Sequence, residues 1–127
     1  MPEKPVYEYA FIRFVPKVER GEFINVGVIL FCKQLKFLQM KYHLDDVRLT
    51  AFSPGTDRHE LSEYLQAWEV ICEGGTEGQP LAGMDQASRF RWLTATRSTI
   101  IQCSEVHPGR CYNPGQQLQD LFSKYVL

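Results

Sequence analysis

Between Val6 and Val15 the chain reads VYEYAFIRFV, with large apolar or β-branched residues in both alternating sets. Tyr7, Tyr9, Phe11 and Val15 form one set; Ala10, Ile12 and Phe14 form the other. This pattern predicts a strand covered on both faces or placed centrally in a sheet. Pro16 ends it, Lys17 to Glu22 is a charged loop, and Phe23 to Cys32 repeats the Val, Ile and Phe enrichment, so the pair predicts an antiparallel hairpin. After a turn at Lys33 and Gln34, Leu35 to Tyr42 alternates more cleanly. Leu38, Met40 and Tyr42 fall on one side and Gln39 and Lys41 on the other, the mark of a third strand wetted on one face. Asp45 to Phe52 fits a short helix and a connecting strand equally.

From Asp57 to Cys72 the period changes to that of a helix, with Leu61, Tyr64, Leu65, Trp68, Ile71 and Cys72 on one stripe. Asp57 and Glu60 have capping-box spacing, and Gly74-Gly75 supplies a stop. Gly74 to Gly83 is a loop. Met84 to Thr94 predicts a shorter helix with Ala87, Phe90 and Leu93 inside, and Ser98 to Cys103 a fourth strand. Ser104 to Tyr112 reads as a loop containing a His107-Pro108-Gly109 turn. Asn113-Pro114 then opens a last helix that buries Leu118, Leu121, Phe122 and Tyr125. The order predicts an α+β fold: an antiparallel or mixed sheet of about four strands with two to three packed helices.

Length and composition narrow this reading without changing it. The 127 residues suit one domain spanning the chain, and 44% apolar content is enough for a core. A net charge of −1 provides no general field for a phosphate backbone, which disfavours nucleic acid as a partner. Cys32, Cys72, Cys103 and Cys111 contain no CxxC pair, which suits a reducing compartment. The N-terminus lacks the pattern of a secretory signal, and no apolar run is long enough for a membrane span. These features predict a cytoplasmic protein.

Candidate chemistry gathers in two blocks. In RGEFINVGVILF, Arg20, Glu22 and Asn25 lie near the hairpin, and Gly27 interrupts a β-branched strand, marking a bulge or a close approach by a ligand or another backbone. A regular strand puts Asn25 and Gly27 on one face. The simpler reading pairs Arg20 with Glu22 and spends Asn25 on loop amides. In RFRWLTATRSTIIQ, Arg89, Arg91 and Arg97 precede Ser98 and Gln102, a set able to hold a carboxylate or phosphate; the alternative is solvated arginines and ion pairs. Cys103, His107 and Cys111 have C-x3-H-x3-C spacing, which lacks the fourth ligand and the paired spacing of a structural zinc site. Neither a metal nor a cofactor is expected. His107 has the chemistry of an acid–base group, and Ser98, His107 and Glu22 are a conceivable nucleophile, base and orienting group by residue type alone.

The two blocks, YEYAFIRFVPKVERGEFINVGVILF and RFRWLTATRSTIIQCSEVHPGRCYNPGQQLQDLF, together resemble an uncharacterised bacterial family, domain of unknown function 3037. The resemblance covers nearly the whole chain and is weakest over the middle helix and the glycine loop. Asn113 stands where the family pattern has Asp, and Thr96 where it often has Pro. Arg13, Arg20, Glu22, Asn25, Gly27, Arg97, Ser98, Gln102, His107 and Gly109 match the polar and glycine positions of the pattern. The resemblance implies a bacterial cytoplasmic protein, assigns no activity, and suggests a neighbouring kinase-like protein as partner.

Two main readings follow. The first is a non-enzymatic interaction or accessory module, with a protein partner or self-association and with surface aromatics among Tyr7, Tyr9, Trp68 and Trp92. The second is a small-molecule or phosphate-handling enzyme, which requires Arg20, Glu22, Asn25, Arg97, Ser98, Gln102 and His107 to meet in one cleft. A third, nucleic-acid binding, requires Arg13, Arg20, Arg89, Arg91 and Arg97 on one surface.

Overall fold

In the computed structural model, which describes residues 3–127, the predicted hairpin is the centre of the sheet. Strands β1 (Val6–Phe14), β2 (Ile24–Cys32) and β3 (Phe37–Tyr42) are followed by helices α1 (Asp46–Phe52), α2 (Arg58–Glu73) and α3 (Gln86–Thr94). Short strands β4 (Ile101–Cys103) and β5 (His107–Arg110) then lead into α4 (Pro114–Tyr125). Every strand pairing is antiparallel, in the order β3-β2-β1-β4, with β5 also on β1. The class is α+β as predicted. The sheet has five strands rather than about four, and the described residues hold four α-helices rather than two to three.

The extra helix is α1, the segment whose pattern fitted helix and strand equally. Asp45 decides it by accepting a hydrogen bond from the Arg48 N–H at the helix start. The extra strand is β5, where Pro and Gly suggest a turn. Pro108 is tolerated because β5 lies at the edge of the sheet, pairing among the described residues only with β1. β4 starts at Ile101 rather than Ser98. Just before it, the Thr99 hydroxyl donates to the Ile101 carbonyl and the Gln102 amide to the Thr99 carbonyl, local bonds that compete with a regular strand.

The sheet has a core on each face. On one, α2 and α3 cover Ala10, Ile12, Phe14, Ile29 and Phe31 with Leu65, Trp68, Phe90 and Leu93. On the other, Leu118 and Leu121 of α4 pack with Tyr7, Val28, Leu30, Cys32 and Cys111. α2 and α4 begin at their expected caps, Asp57 accepting from Glu60 N–H and Asn113 from Gln116 N–H, whereas α3 begins two residues later than Met84, capped by Asp85, which accepts from Ser88 N–H. Each such cap stabilises its helix by about 1 kcal/mol.

A bulge in β2 sets the faces of the hairpin. Ile12 pairs with Gly27 but Arg13 pairs with Asn25, leaving Val26 without a partner across the strands. Asn25 and Gly27 therefore point to opposite faces, not to one as in a regular strand. Asn25 turns toward α4, where its amide donates to the Tyr125 carbonyl, while a side chain at Gly27 would meet Ile12 and Tyr42 on the α2/α3 side.

Candidate functional site

α4 packs mainly on β2 and β3 and meets β1 at its border, through Tyr7 and Phe11; among the described residues no helix packs extensively over β1, β4 and β5 on that face. The side chains left there come from alternate residues of β1. Tyr7 is buried under the edge of α4, and Tyr9, Phe11 and Arg13 lead outward, each half-buried. The rings form a continuous series: Tyr7 to Tyr9 at 5.8 Å, Tyr9 to Phe11 at 5.7 Å, and Phe11 to Tyr125 of α4 at 5.2 Å between centroids. Tyr125 and Phe23 rim this surface at 45% and 42% exposure, respectively.

Sheet register adds the polar members. Arg13 lies between Asn25 on β2 and Gln102 on β4, its direct partners across the strands. Gln102 shares the Arg13 face because its neighbours Ile101 and Cys103 pack on the opposite one. His107 pairs with Tyr9, its ring 5.5 Å from the tyrosine ring, and is exposed. The Arg13 guanidinium stacks on Phe23 at 3.9 Å, and neither its Nε nor the Asn25 Oδ1 has a hydrogen-bond partner among the described residues. Arg13, Asn25, Gln102 and His107 thus share one open face with exposed aromatic edges.

The remaining candidates lie elsewhere. Arg20 and Glu22 form an exposed ion pair in the β1–β2 connection. The hydrogen bond between them raises the Arg20 pKa and lowers that of Glu22, and solvent limits the strength of such a pair. Gly27 belongs to the opposite face. Arg97 sits at the C-terminal end of α3, donating to the Trp92 and Leu93 carbonyls, its guanidinium 4.6 Å from the Trp92 ring and 5.0 Å from Trp68. It is a cap and a packing element on the helix-covered side.

Ser98 is exposed and lies just before Ile100, whose carbonyl accepts from Val15 N–H, whereas His107 is level with Tyr9. Six residues of strand separate those levels, about 20 Å at the usual rise. The serine, histidine and glutamate therefore form no nucleophilic trio, and the cleft required by the enzyme reading is not assembled. The arginine surface is not assembled either: Arg89 is buried against Gly74, Arg91 approaches Glu8 from α3, and Arg97 is held by tryptophans. Of the suggested surface aromatics, Tyr7 and Trp68 are buried.

Cys103 packs toward the Leu93 carbonyl on the α2/α3 side, Cys111 lies in the α4-side core, and His107 is exposed between them. Burial raises the Cys72 and Cys103 thiols to about 12, and Cys111 is raised for the same reason. Since the thiolate is the reactive form, Cys72 and Cys103 are expected to resist an aromatic disulfide reagent at pH 8 while the protein is folded and to react on denaturation. Stopped-flow absorbance would count them; rapid reaction of both in the native state would contradict the burial of Cys72 and the shielding of the half-buried Cys103.

The model of a protein family of unknown function, DUF3037, matches residues 9–126. The chain belongs to this family. No curated protein and no solved structure matches it. Within this DUF3037 chain the site residues missed from the sequence are Phe11, Phe23 and Tyr125. The signal was present for Phe11, which shares the alternating set of Tyr7 and Tyr9. What the sequence did not reveal is that α4 covers only half of the sheet.

Gly109, part of the matched region, has a structural explanation. A β-carbon there would stand 2.4 Å from Cζ of Tyr7, so the glycine gives the Tyr7 ring its place across β5. Asn25 likewise holds the end of α4 through Tyr125, assisted by Arg48, which donates to the Val126 carbonyl at 2.6 Å. Both residues fix the border between the covered and open halves of the face.

Proposed function

We propose that this DUF3037 chain is a non-enzymatic protein-interaction module whose recognition face is the open half of the sheet. The observation that carries this reading is the row Tyr9, Phe11 and Arg13, partly exposed on rigid backbone and rimmed by Phe23 and Tyr125. Tyrosine and arginine are enriched among the residues that dominate protein–protein binding energy, and aromatic residues are enriched at interfaces generally. A strand scaffold holds them with little conformational entropy left to lose on binding. Asn25, Gln102 and His107 supply polar contacts around the apolar centre. The preferred partner is a different protein, and the kinase-like neighbour implied by the family resemblance is the first to try.

Tagged wild-type protein and a Tyr9→Ala/Arg13→Ala variant, both checked for native circular dichroism, would be used to isolate partners from the native host. The wild type is expected to retain a stoichiometric partner and the variant to bind it at least tenfold more weakly. Amide exchange in β1, β4 and β5 should slow in the complex. A partner bound equally by both proteins would overturn the assignment of the face, and the absence of any stoichiometric partner would overturn the reading itself.

A further inference from the structure

The opposite edge of the sheet offers a separate recognition site, independent of the open face. Among the described residues β3 pairs with β2 alone. The His43 N–H donates to the Val26 carbonyl at 2.8 Å, and the register continues with Gly27 opposite Tyr42 and Val28 opposite Lys41. In an antiparallel pair the hydrogen-bonded positions alternate, so those of β3 are Phe37, Gln39 and Lys41. Leu38, Met40 and Tyr42 consequently turn their N–H and C=O groups away from β2. None of these groups has another hydrogen-bond partner among the described residues.

Beside this ladder runs a groove of about 440 Å³, with Leu38, Gln39 and Met40 of β3 on one wall and Glu69, Cys72 and Glu73 of α2 on the other. Its lining includes two carboxylates and no basic residue. Leu38, Met40 and Cys72 belong to the core, which makes the groove a firm feature of the fold.

We propose that this groove takes an extended, lysine- or arginine-bearing segment of a partner protein as an additional strand on β3. The main-chain ladder would hold the segment and the carboxylates of α2 would select its charge, the division of labour of β-strand addition. Charge also decides between a peptide and a second copy of this chain. Two β3 edges joined about a twofold axis would bring two sets of Glu69 and Glu73 along the same face, where like charges oppose each other.

The probe is a seven-residue peptide of alternating lysine and valine, capped at both ends, titrated into isotopically labelled protein. Shifts are expected at the Leu38, Met40 and Tyr42 amides. Binding should weaken at least tenfold in a Glu69→Gln/Glu73→Gln variant and be lost when the peptide backbone is N-methylated at alternate residues. The Tyr9→Ala/Arg13→Ala variant should bind the peptide as the wild type does, which separates this test from that of the open face. Equal binding of a glutamate–valine peptide, undiminished binding of the N-methylated peptide, shifts confined to other strands, or no binding at millimolar peptide would each overturn the proposal. Self-association through β3, seen by sedimentation and amide protection, would replace it with a dimer.

Discussion

Gly27→Ala is expected to destabilise the fold by about 2–3 kcal/mol, the upper range for forcing extra volume into a packed interior. The cause is not backbone conformation, since Gly27 is absent from the positive-φ glycines. A β-carbon at this position would stand 2.6 Å from the Lys41 carbonyl oxygen, 3.0 Å from the Tyr42 β-carbon and 3.3 Å from the Ile12 Cδ1. The Ile12 methyl can move, but the Lys41 carbonyl belongs to the neighbouring strand. Relief therefore requires β3 to separate from β2 or the bulge to be reshaped. Urea denaturation should show a lower midpoint with an unchanged slope, as for a loss of stability without a change in the surface exposed. A midpoint equal to that of wild type would mean that the strands part at no cost. Because Gly27 follows the bulge that turns Asn25 toward α4, the variant should also accelerate amide exchange at the end of α4.

Gly27 shows what the sequence could reveal about the site. A glycine amid Val, Ile and Phe predicts a bulge or a close approach, and both occur here: the bulge lies next to it and the close neighbour is the β3 backbone. Its partner was not legible, so a ligand and a neighbouring strand gave the same signal. α2 was legible to within a residue at each end because its apolar stripe, its cap and its terminal glycine agree. α4 was legible for a similar reason, with Asn113 capping and Pro114 in the first turn.

β5 was not legible, because Pro108 and Gly109 disfavour strands locally and only tertiary contacts favour one. Tyr7 lies across Gly109, and the Cys111 N–H donates to the Pro5 carbonyl, contacts between segments about 100 residues apart. The grouping of Arg13, Asn25, Gln102 and His107 depends on that same long-range pairing. Arg97 and Arg13 illustrate the other half of the problem, since both are arginines beside aromatic residues. Arg97 is spent on α3 carbonyls on the covered side, whereas Arg13 faces the open half with its Nε unpartnered. Which face each arginine occupies, and how far helices cover that face, distinguishes their roles.

The junction between β4 and β5 is held to β1 by one backbone bond and one hydroxyl, and the hydroxyl makes Ser104→Ala the second large-effect substitution. The Ser104 N–H donates to the Phe11 carbonyl at 2.8 Å, but the return bond from the Phe11 N–H goes to the Ser104 side-chain oxygen, also at 2.8 Å. The hydroxyl in turn donates to the Glu105 carbonyl at 2.9 Å. Ser104 is 5% exposed, so alanine would leave the Phe11 N–H without a partner in the middle of the central strand. A buried donor left unpaired costs about 1–3 kcal/mol, more than the roughly 1 kcal/mol net contribution of an average hydrogen bond. The expected outcome is a destabilisation of about 2 kcal/mol with faster exchange of the Phe11 amide. Ser104→Thr, which keeps the oxygen, should preserve most of the amide protection. If Ser104→Ala changes neither stability nor Phe11 exchange, water must take the place of the hydroxyl, and the edge there would be looser than the 5% exposure indicates. If both change, the backbone beneath Phe11 is held by a side chain from the interrupted edge strand. That bond ties β4 and β5 to β1 and keeps Gln102 and His107 beside Arg13 and Tyr9.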